Sequence, residues 1–543
     1  MGIIITGSFV FLAAVLSLFI QRKKRDKKLK QLRNSWGKIP ENIRDEASVK
    51  MFFELNKTPL LDHTYTIDEN TWYDLNFDKI FSLIDRSSTP CGAQYLFYLL
   101  RHPVFKKEIL DKREKLITDF STNPGLREEI QLAIQRLEDE NSKYLPYSLW
   151  KTLPDKPSYA KIFPVISFVS ILLLLLVLFQ LIHYGILIVV FTINLIIRFY
   201  EKRKIDVYIH SFQYLGILIS AAEKISSLKF NELKDIREVL LKSLEETRII
   251  AKKIFTLQFK DELGLIEYLN IYFMWDISGF YSAVNRIEKH IGKLKKIYET
   301  VGYLDALISV ASFRSNYKTF CRPLFNEENT NYILTDIYNP LLTKPVTNTF
   351  EFNNKNIIIT GSNMAGKTTF LKTVGVNALL AQTINTCLAK SYKAPFVKVI
   401  SSISREDNLV KGKSYYLAEV ESIQRLIKAS KTNIIHLFIL DEIFRGTNSS
   451  ERLAISIEVL YYLANGKDFN LVATHDLQLC EKLKRIYSNY HFREKVCDHG
   501  LSFNYKIYPG IATTKNAIAL LKYVGYPKSI VEKAYNRINN NEI

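Results

Sequence analysis

Residues Asn356 to Thr369, Asn-Ile-Ile-Ile-Thr-Gly-Ser-Asn-Met-Ala-Gly-Lys-Thr-Thr, constrain the fold more than any other stretch of this 543-residue chain. A β-branched run reads as a buried strand, two glycines frame a loop, and a helical pattern follows. Every fixed position of G-x-x-x-x-G-K-[ST] is met. In that arrangement the backbone amides of Gly361, Ser362, Asn363, Met364, Ala365 and Gly366 curl around a polyphosphate at a helix N-terminus. Lys367 then reaches the β and γ phosphates, the Thr368 hydroxyl sits on Mg²⁺, and Thr369 beside it is expected among the nucleotide-binding residues. A strand, loop and helix in this order imply an α/β domain with a mostly parallel sheet and a site for a nucleoside triphosphate.

Two later strands supply the other groups that such a site needs. Ile434 to Glu442, Ile-Ile-His-Leu-Phe-Ile-Leu-Asp-Glu, ends in paired acids, and open α/β sheets bind ligands at the carboxyl ends of their strands. Asp441 is expected to hold the Mg²⁺ shell, through water, and Glu442 to polarise the attacking water. Asn470 to Ala473 runs into Thr474-His475-Asp476, which brings an imidazole to the same sheet edge. His475 is thereby a candidate to sense or orient the γ-phosphate.

These residues resemble the MutS family. Gly361 to Thr369 is similar to its Walker A loop, with the Asn-Met pair inside. Leu440 to Thr447, Leu-Asp-Glu-Ile-Phe-Arg-Gly-Thr, resembles its Walker B segment, and Ala473 to Asp476 its switch histidine. Ser402 to Glu421 resembles the signature segment, with Asp407, Gly412, Ser414 and Glu419 at matching places. The resemblance implies a dimer in which Ser414 of one subunit faces the nucleotide of the other. It also implies a lever region that couples nucleotide state to DNA.

Upstream, Thr71-Trp72-Tyr73-Asp74 and Arg86 to Pro103 resemble the start of that lever, and Leu304 to Ser309 the segment leading back to the ATPase. The segment from Phe503 to Ala534 resembles the closing helical part at the family's dimer interface. Departures are equally informative. About fifty residues separate the first apolar segment from the lever, too few for a mismatch-recognition domain and a connector, so a chain without the mismatch reader is expected. Phe52-Phe53-Glu54 fits a mismatch wedge only as a three-residue pattern. Ser362, Ala365 and Tyr415 differ from the family's usual residues without removing a phosphate or metal ligand.

A formal charge of +19 favours an anionic partner, and both nucleic acid and an anionic membrane surface qualify. Five cysteines without C-x-x-C spacing suggest neither a zinc site nor a disulfide framework.

The second strong signal is apolar. Ile3 to Ile20 is uncharged and is followed at once by a basic run, Arg22 to Lys30, which favours a cytoplasmic C-terminal side. Ile162 to Ile182 contains five consecutive leucines, Leu172 to Leu176, and His183-Tyr184-Gly185 turns the chain into Ile186 to Ile197. Lys161 and the cluster Arg198, Lys202, Arg203 and Lys204 flank this hairpin on one side, placing both ends in the cytoplasm. Helical patterns resume at Asn231 to Leu257 and Ser282 to Tyr298.

The expected organisation is an anchor at 1–20 and a basic juxtamembrane segment at 21–58. A helical lever region at 59–330 follows, interrupted by a membrane hairpin at 162–200, and then a P-loop ATPase domain at 331–543. The leading expectation is a multi-pass, membrane-anchored MutS-family ATPase that uses ATP and Mg²⁺, binds DNA and works as a homodimer. A transport-type ATPase or a nucleotide-switched membrane scaffold stands as the alternative. Three apolar segments are few for a conduit, and no Leu-Ser-Gly-Gly-Gln signature is present.

Overall fold

The computed structural model describes residues 2–40, 44–56, 59–253, 265–326, 331–352, 356–362, 365–403, 415–444, 447–497, 500–511, 521 and 524–539. The chain divides into two compact units, one of residues 1–58, 84–99 and 115–316, the other of residues 59–83, 100–114 and 317–543.

The first unit is helical. Its centre is the contact between the helices Pro90–Arg101 and Ile291–Arg314. Thr89 caps the first of these by accepting from the Gly92 amide at 3.0 Å, while Pro90 fills the first helical position, where its missing donor costs nothing. Asp305, fully buried on the second helix, accepts from the Ser88 and Thr89 amides at 3.0 and 2.8 Å and from the Thr89 hydroxyl at 2.7 Å. The approach is close because both helices carry a glycine there. A Cβ on Gly92 would lie 2.2 Å from Asp305 Oδ2, and one on Gly302 would lie 3.0 Å from the Cys91 carbonyl oxygen. Phe52 is fully buried between Tyr95, Tyr98, Trp150 and Tyr298. The Phe-x-Glu pattern therefore contributes its first ring to a core.

The expected hairpin is built from the helix Ile162–Leu178 and the opening of the 43-residue helix Gly185–Ser227. Among the described residues, the run Ser158–Leu178 is the one helix long and apolar enough to cross a membrane, with mean hydropathy 2.6. Ile3 to Ile20 falls within the helix Gly2–Ser35.

The second unit carries two sheets. Its strands are β1 (Leu324–Phe325), β2 (Ile333–Ile337), β3 (Asn348–Glu351), β4 (Asn356–Thr360), β5 (Ser391–Ala394), β6 (Lys398–Ile403), β7 (His436–Asp441), β8 (Phe469–Ala473), β9 (Ser488–Cys497) and β10 (Gly500–Pro509). A four-stranded sheet has the order β1-β5-β2-β3, and a six-stranded sheet the order β10-β9-β4-β8-β7-β6. In the larger sheet every pairing is parallel except β9 with β10. β4, β7 and β8 are buried along their whole length, as strands covered on both faces must be.

β6 is an edge strand, and the segment 65–74 closes its free side. The Tyr65 hydroxyl accepts from the Val399 amide, Thr71 Oγ1 from the Ser401 amide and Asp74 Oδ2 from the Ile403 amide, each at 3.1 Å. Asp74 also accepts from the Ser401 hydroxyl at 2.7 Å. Alternate amides of an edge strand point outward, so three side chains at this spacing replace a neighbouring strand.

Candidate nucleotide site

Chain order and hydrogen-bond register bring the three motifs to one sheet edge. β8 lies between β4 and β7, and Ala473 pairs with Ile359 on one side and Asp441 on the other. The Thr474 amide donates to the Ile359 carbonyl at 3.0 Å, and the Glu442 amide to the Ala473 carbonyl at 3.0 Å. Gly361, Glu442 and His475 thus leave three adjacent strands on the same side. β4 is also where strand order reverses, since β6, β7 and β8 lie to one side of it and β9 to the other. Crevices of this kind receive ligands in open α/β sheets.

The loop after β4 has the backbone that its glycines permit. Gly361 and Gly366 adopt φ of +140° and +99°, a region where side chains are strained. A Cβ on Gly361 would lie 3.3 Å from the Phe492 carbonyl oxygen, and one on Gly366 3.2 Å from the Tyr505 ring. Ala365 is buried and Ser362 half-buried, while Asn363 and Met364 lie outside the described residues. The helix Lys367–Ile384 starts at Gly366 and stops at Asn385, which takes a left-handed conformation. Its seat is tight, because a Cβ on Gly375 would lie 2.7 Å from Ile439 Cδ1.

The Lys367 ammonium, 2% exposed, donates to the Gly361 and Ser362 carbonyls at 2.6 and 3.0 Å. The Thr368 hydroxyl donates to Asp441 Oδ2 at 2.6 Å, so the two oxygens expected to serve Mg²⁺ converge on one point. Thr369 is exposed at the helix start. Glu442 is buried and held in a left-handed conformation at φ +55°, which swings its carboxylate out of the strand direction. His475 is exposed over half its side chain and hydrogen-bonds Glu442 Oε2 through Nδ1. Arg452 reaches Asp476 at 3.4 Å behind the pair.

One ammonium, a hydroxyl paired with a carboxylate, a buried glutamate and a glycine-framed loop fit a magnesium-bound triphosphate. A Cβ on either loop glycine would press against Phe492 or Tyr505, and the two oxygens expected to hold Mg²⁺ already meet. The pairing of Glu442 with His475 was not visible in the sequence, because 33 residues separate them and only strand adjacency joins them. Also missed was the support of β6 by Asp74, since Thr71 to Asp74 resembled a lever segment instead. Ser414, Asp407 and Gly412 lie outside the described residues, and Glu419 is half-buried on the helix Tyr415–Ser430.

Comparison with known proteins agrees with this geometry. Residues 357–542 match the family model for MutS domain V. The chain is 25% identical to the DNA mismatch repair protein MutS of Clostridium tetani over 92% of its own length and 62% of that protein's. It is 28% identical to the MutS of Methanosarcina mazei over 53% of this chain and 33% of the relative. Against Thermus aquaticus MutS the identity is 33% over 35% of this chain and 24% of the relative. The chain thus spans less than two thirds of the length of these relatives. The matched region contains the phosphate loop, the paired acids and the histidine after β8, and over these residues the chain is similar to MutS domain V.

Proposed function

We propose that this chain is a membrane-embedded ATPase of the MutS family that binds DNA and couples its nucleotide state to the helical unit. The observation carrying the ATPase reading is the shared register of Ile359, Ala473 and Asp441, which sets the three motifs side by side. When bound, Mg²⁺ would supply charge neutralisation between the β and γ phosphates. Thr368 and Asp441 would hold it, and the Gly361–Gly366 amides would orient the phosphates. Lys367 would exchange its two carbonyl partners for phosphate oxygens. Glu442, fixed by His475, would accept a proton from the attacking water.

The test is a pair of variants. Lys367→Ala loses ATP binding, whereas Glu442→Gln retains bound ATP and loses turnover; unchanged hydrolysis in both rejects the assignment. The relatives are named DNA mismatch repair proteins, and the +19 charge suits phosphate contacts. DNA affinity that falls steeply with salt is expected, and absence of binding at low salt removes DNA as the partner. By analogy with the family, the working unit would be a homodimer with Ser414 facing the opposite nucleotide.

Support for the membrane reading comes from inverted polarity in the hairpin. Phe168, Leu172, Leu175, Leu178, Ile188 and Ile193 are among its many exposed apolar side chains. Between residues 162 and 200 the buried positions are Phe163, Ser167, Ser170, Asn194 and Arg198, four of them polar. Polar residues inside and apolar residues outside is the arrangement that a hydrocarbon solvent selects. Retention of the protein in carbonate-washed membranes is expected, and release into the wash rejects it.

A further inference from the structure

We infer that residues 265–289 form a re-entrant hairpin that dips into the cytoplasmic leaflet beside the membrane hairpin. The inference rests on the membrane reading and adds a lipid-facing element that no apolar run in the sequence announces. The helix Leu265–Phe273 packs on the hairpin, Met274 turns the chain at φ +55°, and the helix Trp275–Lys289 leads away.

Three hairpin side chains, Arg198, Asn194 and Ser167, fix its depth. At the basic end of the hairpin, the Arg198 guanidinium bonds both Glu267 oxygens at 2.7 and 3.1 Å and Asp276 Oδ2 at 2.8 Å, tying the descending and returning arms to one point. One turn toward the apolar tip, about 6 Å deeper at 1.5 Å per residue, Asn194 Nδ2 donates to the Tyr272 carbonyl at 2.7 Å and to Ser170 Oγ at 3.2 Å. From the other arm the Ser167 hydroxyl reaches the Phe273 carbonyl at 2.5 Å. Tyr272 and Phe273 end their helix, so their carbonyls have no partner within it. In hydrocarbon such groups must be satisfied by protein, and the two donors that meet them come from membrane-spanning residues. Asn194 and Ser167 therefore have a reason to be polar inside an otherwise apolar hairpin.

The outward face completes the case. Tyr268 is 62% exposed and Leu269 43% exposed, continuing the apolar surface of the hairpin. Exposed Tyr159, Phe199 and Tyr200 form an aromatic rim near Lys202, Arg203 and Lys204, as at a lipid headgroup boundary. A bilayer is the occupant that this polarity and this rim of positive charge fit.

The experiment places a photo-crosslinking phenylalanine analogue at Phe168, Tyr268 or Tyr461, each an exposed aromatic residue, in full-length protein held in nanodiscs with a clickable phospholipid. Lipid adducts are expected at Phe168 and Tyr268 and absent at Tyr461. An adduct at Phe168 without one at Tyr268 overturns the re-entrant hairpin and leaves the membrane reading standing. No adduct at Phe168 overturns both. Adding Asn194→Leu is expected to cause loss of the Tyr268 adduct while preserving the one at Phe168; unchanged yield at Tyr268 overturns the role given to Asn194.

Discussion

At the scale of single residues, the site depends on side chains that fix other side chains. His475 holds Glu442 by a hydrogen bond, so on the proposed ATPase reading His475→Ala should lower the rate constant of hydrolysis by roughly 10²-fold through misplacement of the proposed general base. ATP affinity should change little, and a parallel loss of affinity in a nucleotide titration would contradict a positioning role. Asp74 has a comparable structural duty on β6. Asp74→Ala strands the Ser401 hydroxyl and Ile403 amide and should destabilise the second unit by about 1–3 kcal/mol, read by urea denaturation. Lys367, Thr368, Asp441 and Glu442 stood out in the sequence because phosphate and metal chemistry demand those residue types at fixed spacing, and the fold brings them to one sheet edge. It hid Asp74, because support across distant chain segments follows only from the tertiary fold.

Among the elements, the contact between the helices Pro90–Arg101 and Ile291–Arg314 has the least slack. Gly92→Ala forces a Cβ into Asp305 and should cost about 1–3 kcal/mol by overpacking, seen as a lower denaturation midpoint. The same contact gives the first unit a pH dependence. Burial raises the Asp305 carboxyl from 3.8 to about 6, outweighing its hydrogen bonds from Ser88 and Thr89. Between those values the folded chain keeps a proton that the unfolded chain has released, so this stabilisation is fully present below pH 3.8. It is lost as pH rises through about 6, by about 3 kcal/mol at 1.36 kcal/mol per pKa unit. Wild type should therefore lose stability relative to Asp305→Asn between pH 4 and 7, and a constant difference across that range would refute the assignment. Strand and helix types were legible from β-branched runs, glycine frames and apolar periodicity. The register that aligns Ile359, Ala473 and Asp441 was not, since it is set by pairing between strands distant in sequence.

For the whole molecule, the sequence showed the apolar hairpin through its leucine run but not the polar seam within it, because four serine, asparagine and arginine side chains among about forty residues carry no pattern until the helices pack. Replacing Leu172 and Leu175, both exposed, with arginine should release the protein from carbonate-washed membranes, whereas the same change at exposed Tyr461 and Tyr462 should not. The first helix adds a separate geometric fact. Its residues Gln21, Arg22, Arg25 and Leu29 line a cleft with Lys224, Ser227 and Leu228, at the far end of the helix that begins in the hairpin. That helix is unbroken over 43 residues, a rod of about 65 Å at 1.5 Å per residue. Pivoting such a rod by about 5° at its greasy base would carry its tip sideways by about 6 Å, so that, on the proposed membrane placement, bending or thinning of the lipid sheet would register as a displacement at the far end of the unit.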